Sequence, residues 1–167
     1  MILVYTGNGK GKTSACTGQA LRALGQGLEV RFAQFIKKDV GAGEQRLLRK
    51  LLGDGFFPGG EGFFLREETR AVHRRAAERT LAWCRQVMPE GGMLIADEAL
   101  YALGCGLLTR EELSELMDLA LSRQTHLVLS GRGLPDWLSD RADLISEVRE
   151  IKHPAAHGAG PVRGIEF

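Results

Sequence analysis

Residues 6–14 carry the groups of this chain that are best suited to chemistry. They read Thr-Gly-Asn-Gly-Lys-Gly-Lys-Thr-Ser and lie between an apolar run at 2–5 and a helical pattern. A strand, a glycine-rich loop ending in Gly-Lys-Thr and a helix are typical of a P-loop, although Thr6 stands where the general pattern has glycine. Glycines let backbone N–H groups converge on phosphate oxygens, because side chains would block that approach. We therefore predict a nucleoside triphosphate site, with an ordinary glycine-rich turn as the alternative.

Individual residues of this loop have distinct parts in such a site. Lys12 supplies a positive charge, the Thr13 hydroxyl can ligate Mg²⁺, and the following helix adds its positive N-terminal end. The expected nucleotide contacts are those of the loop backbone and its polar side chains, namely Gly7, Asn8, Gly9, Lys10, Gly11, Lys12, Thr13 and Ser14.

Asp97 and Glu98 directly follow the apolar run 93–96, which predicts a central strand. An acidic residue after such a strand, downstream of a P-loop, is the Walker-B arrangement, in which a carboxylate holds Mg²⁺ directly or through water. We predict that Thr13 and Asp97 hold Mg²⁺ or Mn²⁺. Glu98 would be the water-activating base in an ATPase; alternatively, the acidic pair only caps the next helix.

A third polar group, Ser130-Gly131-Arg132-Gly133, follows the apolar run 126–129. Ligands bind beyond the carboxyl ends of the strands in open α/β sheets, so Arg132 is placed to reach the phosphates or the nucleotide. A turn arginine in a surface ion pair is the alternative.

The elements that position these groups alternate along the chain. Apolar runs predict strands at 2–5, 30–35, 93–96 and 126–129, and last strands at 144–151 and 164–167. Helical patterns are expected at 12–24 and 67–88, after Asp97-Glu98, from the capping box of Thr109 with Glu112, and after Pro135. Buried strands alternating with helices predict an α/β fold with a mostly parallel, doubly wound sheet flanked by helices, in one domain spanning residues 1–167.

The amino-acid composition excludes several classes of protein for this chain. The 167 residues are 44% hydrophobic and 26% charged, as in a globular domain. A net charge of +1 indicates neither nucleic acid nor a membrane surface as partner, and no apolar run is long enough to span a bilayer. Three cysteines without a CxxC pair indicate a reducing compartment, and hence the cytoplasm. The histidines form no ligand cluster, so no zinc site is predicted, and His73 is expected on a solvated helix face.

Residues 53–64 combine glycines with four phenylalanines and are the candidate contact for a second substrate. Loop aromatics can stack on a large planar ligand. We expect Phe56 and Phe57 to fill the core from a short strand. Phe63 and Phe64, which lie just before a helix, are the better candidates for ligand contact.

Together these motifs resemble the CobA/BtuR-type ATP:corrinoid adenosyltransferases, which make the adenosylated form of vitamin B12. The resemblance covers nearly the whole chain, and the family shares the initial threonine of this P-loop. The matching motifs are, in chain order, Thr6-Gly-Asn-Gly-Lys-Gly-Lys-Thr13, Gln34-Phe35-Ile36-Lys37, Gly43-Glu44, Gly62-Phe63, Asp97-Glu98 with Tyr101, Gly131-Arg132-Gly133, Ala142-Asp143 with Ser146-Glu147, Lys152-His153 and Gly164-Ile165-Glu166-Phe167.

The resemblance implies a P-loop NTPase fold of RecA-like type and an unusual use of ATP. In this family a Co(I) corrinoid attacks the ribose 5′ carbon and expels the whole triphosphate. The protein must then supply in-line positioning and neutralise the leaving group. The resemblance gives that task to Lys12, the loop amides and Mg²⁺ held by Thr13 and Asp97, with Lys10 or Arg132 assisting.

The resemblance also implies a corrinoid side of the site. The family displaces the lower axial ligand of cobalt with aromatic side chains of a mobile loop, which eases reduction of Co(II). Phe63 matches one of these side chains, Leu65 stands where the family typically has tryptophan, and Ala155 stands where it usually has an aromatic residue. Glu98 would position substrate rather than activate water. A flavoprotein reductant and a homodimer are further implied, and the chain begins on its first strand without the N-terminal extension that usually helps cover the corrinoid.

Two other functions stay open at the level of sequence. A P-loop ATPase or phosphotransferase with Glu98 as base would produce ADP, whereas an adenosyltransferase produces triphosphate. A nucleotide-dependent corrinoid-binding protein without catalysis would form no Co–C bond.

Overall fold

Six parallel strands form one sheet in the computed structural model, which describes residues 1–158 and 160–165. In chain order the strands are β1 (Ile2–Thr6), β2 (Val30–Gln34), β3 (Phe56–Pro58), β4 (Met93–Asp97), β5 (His126–Ser130) and β6 (Leu144–Glu147). Every strand pair is parallel, and the order across the sheet is β3-β2-β4-β5-β1-β6. Parallel strands need crossover connections, and helices supply them here.

Within the described residues, six α-helices connect or flank the strands. They are α1 (Lys12–Gly25), α2 (Gly43–Leu52), α3 (Arg70–Gln86), α4 (Ala99–Gly104), α5 (Arg110–Ser122) and α6 (Asp136–Ser139). Short 3₁₀ segments lie at Gly53–Gly55, Glu67–Thr69 and Pro154–His157. None of the described helices combines the length and apolar character needed to cross a bilayer.

Helices cover both faces of the central strands, whose alternate residues point to opposite sides of the sheet. Phe32, Ile95 and Val128 pack with α1 and α2 in one apolar cluster. Leu94 and Leu127, whose side chains point the other way, pack with α3, α4 and α5 in a second cluster. These observations confirm the predicted α/β class, a doubly wound P-loop fold with helices on both faces.

Several elements agree with the sequence-based expectations. The Thr109 hydroxyl accepts a hydrogen bond from the Glu112 amide, and the Glu112 carboxylate accepts one from the Thr109 amide, so the expected capping box opens α5. The aromatic pair Phe56 and Phe57 lies on β3, where Phe56 is buried, which confirms the expected short strand.

Other expectations were wrong in extent or in burial. The strand expected at 144–151 ends at Glu147. The amide of the next residue, Val148, still donates to Thr6 of β1, but its carbonyl oxygen accepts from Gly9 of the P-loop. The strand expected at 164–167 is a turn over 163–165, and its last two residues lie outside the described residues. The helix expected from residue 67 begins at Arg70 after a 3₁₀ turn. His73 is buried rather than solvated, since its ring packs edge-on against Phe64.

The strand order determines where the polar groups meet. β5 lies between β1, which leads into the P-loop, and β4, which ends at Asp97. The carboxyl ends of these parallel strands therefore share one edge of the sheet, with Ser130 between the P-loop and Asp97.

Candidate active site

A cleft of about 860 Å³ opens at this edge of the sheet. It is large enough for a nucleotide. Its walls come from the P-loop and α1, from the start of α2, from the loop before α3, from the ends of β4 and β5, and from the chain after β6. The lining residues are Asn8, Gly9, Lys10, Gly11, Lys12, Thr13, Ser14, Thr17, Gly18, Leu21, Lys37, Gly43, Glu44, Phe63, Glu98, Tyr101, Arg132, Glu150, His153, Gly164 and Ile165.

Two glycines of the P-loop adopt backbone conformations that other residues rarely take. Gly7 has φ +101° and Gly11 has φ +121°. A Cβ on Gly7 would lie 2.4 Å from the carbonyl oxygen of Val148, and the Gly9 amide donates to that same oxygen at 2.8 Å. The P-loop is thus folded against the segment that follows β6, which gives its glycines a packing role as well as a conformational one.

Lys12 is held inside the loop that it closes. Its Nζ donates hydrogen bonds to the carbonyl oxygens of Gly7 and Gly9, each at 2.8 Å. A lysine ammonium has three N–H groups, so one remains after these two bonds. Burial lowers the pKa of Lys12, while the negative charges of Glu98 and Asp97 oppose that shift.

Asp97 is fully buried, and hydroxyl and amide groups donate to both of its oxygens. The Thr13 hydroxyl lies 3.2 Å from Oδ1 and 3.1 Å from Oδ2. Ser130 donates to Oδ1 at 2.6 Å, and Nε2 of Gln34 donates to Oδ2 at 3.2 Å. Thr13 and Asp97 come together as predicted. Asp97 lies behind Thr13 and does not itself line the cleft.

Glu98 lies next to Asp97 and faces the cleft. Its backbone is left-handed, with φ +61°, and its amide donates to the hydroxyl of Ser130 at 2.9 Å. Such a conformation is unfavourable for a non-glycine residue and is found at functional sites. Burial raises the pKa of Glu98 above its ordinary value of 4.5, and the charge of Asp97 adds to this, while Lys12 and other cations oppose it.

The chemistry of the donor set fits a hard divalent cation such as Mg²⁺. A carboxylate and a threonine hydroxyl are oxygen ligands, and Mg²⁺ is commonly bound through one or two carboxylates together with substrate phosphates. Within the described residues, no group of three or more His, Cys, Asp or Glu side chains could hold a metal ion by itself. The oxygen atoms of Thr13 and Asp97 fit such a cation by their chemistry.

The loop before α3 contributes Phe63 to the lining of the cleft. Phe63 is 64% exposed, and its ring meets Tyr101 edge-on at 5.7 Å. Phe64 is half-buried instead, because its ring packs against His73 at 5.6 Å and beneath the guanidinium of Arg70 at 4.7 Å. Of the two phenylalanines expected to contact ligand, only Phe63 lines the cleft. Leu65 is 83% exposed and is not among the lining residues.

Arg132 and Lys10 lie on the rim of the cleft. Arg132 is exposed in the turn after β5. The Nζ of Lys10 donates to the carbonyl oxygen of Ile165, so the last described residues lie across the P-loop side of the cleft.

The ion pair between Lys37 and Glu44, near the start of α2, was not identified from the sequence as part of the site. Lys37 and Glu44 both line the cleft, with Nζ 2.7 Å from Oε1. Burial raises the pKa of Glu44, but the hydrogen bond and charge of Lys37 outweigh it, so that pKa is lowered overall. Both residues belong to motifs that the chain shares with the resembling family, and this membership could have identified them as site residues.

Two buried glutamines near Asp97, Gln34 and Gln45, were also missed. Gln45 was detectable in principle, because a polar residue three positions before the buried Leu48 falls on the inward face of α2.

The fold and this cleft together define a P-loop nucleotide-binding protein. Comparison with known proteins narrows the class. The family model described as ATP:corrinoid adenosyltransferase BtuR/CobO/CobP matches residues 1–167. The chain belongs to this family of corrinoid adenosyltransferases.

Individual relatives carry the same name. A corrinoid adenosyltransferase of Pseudomonas aeruginosa is 34% identical over 173 residues, covering 100% of this chain and 83% of the relative. One of Sinorhizobium sp is 33% identical over 171 residues, covering 100% and 80%. The corrinoid adenosyltransferase CobA of Salmonella typhimurium is 33% identical over 169 residues, covering 100% and 85%.

Proposed function

We propose that this chain transfers the 5′-deoxyadenosyl group of ATP to a Co(I) corrinoid and releases triphosphate. The observation that carries the proposal is that a phosphate-binding loop and an exposed aromatic side chain, Phe63, line one and the same cleft. Such a cleft can hold a nucleotide at one end and a large planar ligand at the other. Membership of the corrinoid adenosyltransferase family supports this assignment.

The reaction is a nucleophilic substitution at carbon. The electron pair of Co(I) forms the Co–C bond to the ribose 5′ carbon, and the bond from that carbon to the triphosphate oxygen breaks with its electrons. Cobalt is formally oxidised to Co(III), and triphosphate departs as an anion. No proton has to be removed from the nucleophile, so a protein base is not required.

The P-loop would bind and neutralise the departing triphosphate. Lys12 keeps one N–H that no described residue accepts, and this group is suited to a phosphate oxygen. The loop amides other than that of Gly9, which donates to Val148, and the N-terminal end of α1 would provide further donors, with Lys10 and Arg132 assisting from the rim. Stabilising charge that develops on a leaving group is a major source of rate enhancement.

Thr13 and Asp97 would hold Mg²⁺, and Mn²⁺ could replace it in the same oxygen ligand set. When bound with ATP, the ion supplies charge that offsets the phosphate oxygens. The buried position of Asp97, 3.1 Å from the Thr13 hydroxyl, supports this role, because both groups are fixed before a cation arrives.

Phe63 and Leu65 would contact the corrinoid, and Glu98 would position it or the nucleotide. The exposure of both apolar side chains supports this, since they are available to a ligand without unfolding of the core. In this proposal they press on the lower face of the corrinoid and disfavour its axial ligand, which makes Co(II) easier to reduce.

The cellular setting and the assembly of the protein are part of the same proposal. We place it in the cytoplasm, since Cys16, Cys84 and Cys105 are all free thiols. A flavoprotein is the proposed electron donor for Co(II). We further propose that residues 1–167 act as one domain and assemble as a homodimer, the latter on the family resemblance.

The test is anaerobic incubation of the protein with ATP, Mg²⁺ and chemically reduced Co(I)alamin. We expect a light-sensitive adenosylcobalamin spectrum and one triphosphate per corrinoid converted. ADP and phosphate in place of triphosphate would contradict the proposal and favour a P-loop ATPase with Glu98 as base. Binding of both ligands with no product of either kind would favour a non-catalytic corrinoid-binding protein.

A further inference from the structure

A buried chain of side-chain amides leads away from Asp97. Gln34, the last residue of β2, is fully buried, and its Nε2 donates to Oδ2 of Asp97 at 3.2 Å. Gln45, in the first turn of α2, is 1% exposed, and its Nε2 donates to Oε1 of Gln34 at 2.9 Å. Burying an amide is costly unless it is hydrogen-bonded, so two adjacent buried amides call for a specific reason.

Backbone groups determine which way each amide faces. Oε1 of Gln45 accepts from the amides of Val40 and Ala42, each at 3.2 Å, and its Nε2 also donates to the carbonyl oxygen of Lys38 at 2.8 Å. A backbone N–H can only donate and a carbonyl can only accept, so the Gln45 amide has one satisfactory orientation. Gln34 must then present its oxygen to Gln45 and its N–H to Asp97.

The orientation of the Asp97 carboxylate is determined by donors on both oxygens. Ser130 donates to Oδ1, and Gln34 donates to Oδ2. With these two bonds in place, the carboxylate cannot rotate without losing one of them, and it is held 3.1 Å from the Thr13 hydroxyl. Groups that orient a metal ligand through hydrogen bonds contribute strongly to metal affinity.

We propose that Gln34 and Gln45 are positioning residues that form a directional relay from segment 38–42 to Asp97. The relay holds the carboxylate ready for the divalent cation that accompanies ATP. Segment 38–42 leads directly into Gly43 and Glu44, which line the cleft. Gln45 bonds this segment, so it links the part of the cleft wall at Gly43 and Glu44 to the orientation of the Asp97 carboxylate. This inference rests on the cation role of Asp97 in the proposed function.

The test measures binding of Mn²⁺ in the presence of a non-reactive ATP analogue and without corrinoid, by the loss of the free-ion electron paramagnetic resonance signal. Gln34→Met and Gln45→Met each remove an amide with little change in side-chain length. We expect Gln34→Met to raise the Mn²⁺ Kd about tenfold or more, and Gln45→Met to raise it by a smaller factor. Gln86→Met, an exposed change at the end of α3, is the matched control and should leave the Kd unchanged.

The double variant separates a relay from two independent structural effects. If Gln45 acts through Gln34, the double variant has the Kd of Gln34→Met alone. Raised Kd values should also appear as a higher KM for Mg²⁺ with little change in kcat at saturating Mg²⁺. If Gln45→Met fails to fold, Gln45→Asn replaces it, since the shorter amide stays polar but no longer reaches Gln34.

Three results would overturn the relay. They are an unchanged Kd in Gln45→Met, Kd factors that multiply in the double variant, and an unchanged Kd in the reference variant Asp97→Asn. Because this binding assay contains no corrinoid, its outcome is independent of adenosyl transfer. Failure of the proposed function would appear instead as the absence of adenosylcobalamin from the wild-type reaction.

Discussion

The hydroxyl of Thr13 lies 3.1 Å from Oδ2 of Asp97, although 84 positions separate the two residues in the chain. The contact lies at the carboxyl ends of the strands and spans β5, which separates β1, the strand before the P-loop, from β4, the strand that ends at Asp97. Both groups are thereby fixed relative to each other by the parallel sheet. A cation held by this pair depends on the hydroxyl as well as on the carboxylate.

Removal of that hydroxyl should weaken cation binding. Thr13→Val keeps the size of the side chain but loses the oxygen, and we expect the concentration of Mg²⁺ for half-maximal activity to rise about 10–100-fold. Thr13→Ser keeps the hydroxyl and is the matched control, with near wild-type Mg²⁺ dependence. Mg²⁺ titrations of the transfer rate check this, and equal behaviour of the two variants would argue against a ligand role for Thr13.

Loss of the Lys12 ammonium should slow transfer strongly. Removing one preorganised donor at a site of developing charge costs about 3 kcal/mol, so Lys12→Ala should reduce kcat on the order of a hundredfold or more. Lys50→Ala, an exposed lysine on α2, is the control and should retain activity. Single-turnover rates at saturating ATP measure the effect, and a loss confined to ATP affinity would contradict it.

Sequence predicted the parts of this site that depend on local pattern. The P-loop, the carboxylate that ends β4 and the capping box at Thr109 can each be recognised from a short run of residues. The structure has all three in the expected elements. The meeting of Thr13 with Asp97 followed from the rule that strand ends share one edge.

The features that could not be predicted from the sequence depend on contacts between segments that are distant in the chain. Gln34 and Gln45 form part of the site only because α2 packs on the end of β2, and no local pattern specifies that contact. β6 is shorter than the expected 144–151, because beyond Glu147 the carbonyl oxygen of Val148 accepts from the amide of Gly9 in the P-loop. His73 was expected in solvent, because the periodicity of a charged helix does not show that Phe64 covers it.

Neutralising Glu98 should stabilise the protein at higher pH. Burial and the charge of Asp97 raise the pKa of Glu98 above 4.5, so the folded state favours the protonated form. The stability that this gives is complete below the ordinary pKa and is lost as pH rises through the raised value. Glu98→Gln should therefore match the wild type near pH 4 and exceed it at about pH 8.

Thermal unfolding at the two pH values checks this. Each 1 kcal/mol recovered should raise Tm by roughly 2–4 °C in a chain of this size. Glu90→Gln, an exposed change in the turn before β4, is the control and should give no pH-dependent difference. A Glu98→Gln variant less stable than wild type at the higher pH would contradict the argument.

Changes in the loop before α3 should affect the reaction that starts from Co(II) more than the one that starts from Co(I). With Co(II)alamin and reduced flavin, we expect Phe63→Ala to be slower by on the order of tenfold, because an exposed aromatic contact to the corrinoid is lost. With chemically reduced Co(I)alamin the same variant should retain most of its rate. Leu121→Ala, an exposed apolar change on α5, controls for general surface effects.

Leu65→Trp is the opposite change in the same loop. Because Leu65 is 83% exposed, the larger ring can be accommodated without disturbing the core. We expect a faster Co(II)-dependent reaction, by up to about tenfold, and an unchanged rate with Co(I). Comparison of the two initial rates gives the answer, and equal gains in both assays would show that the side chain acts on binding rather than on reduction.

In the proposed reaction the nucleophile attacks a carbon atom of ATP, not a phosphorus atom. The most direct measurement is a single turnover with Co(I)alamin and ATP that carries a heavy carbon isotope at the ribose 5′ position, followed by nuclear magnetic resonance of the products. We expect the label to appear in a carbon bonded to cobalt, with intact triphosphate in equal amount. Label that remains in ADP, with phosphate released and cobalt unalkylated, would contradict it.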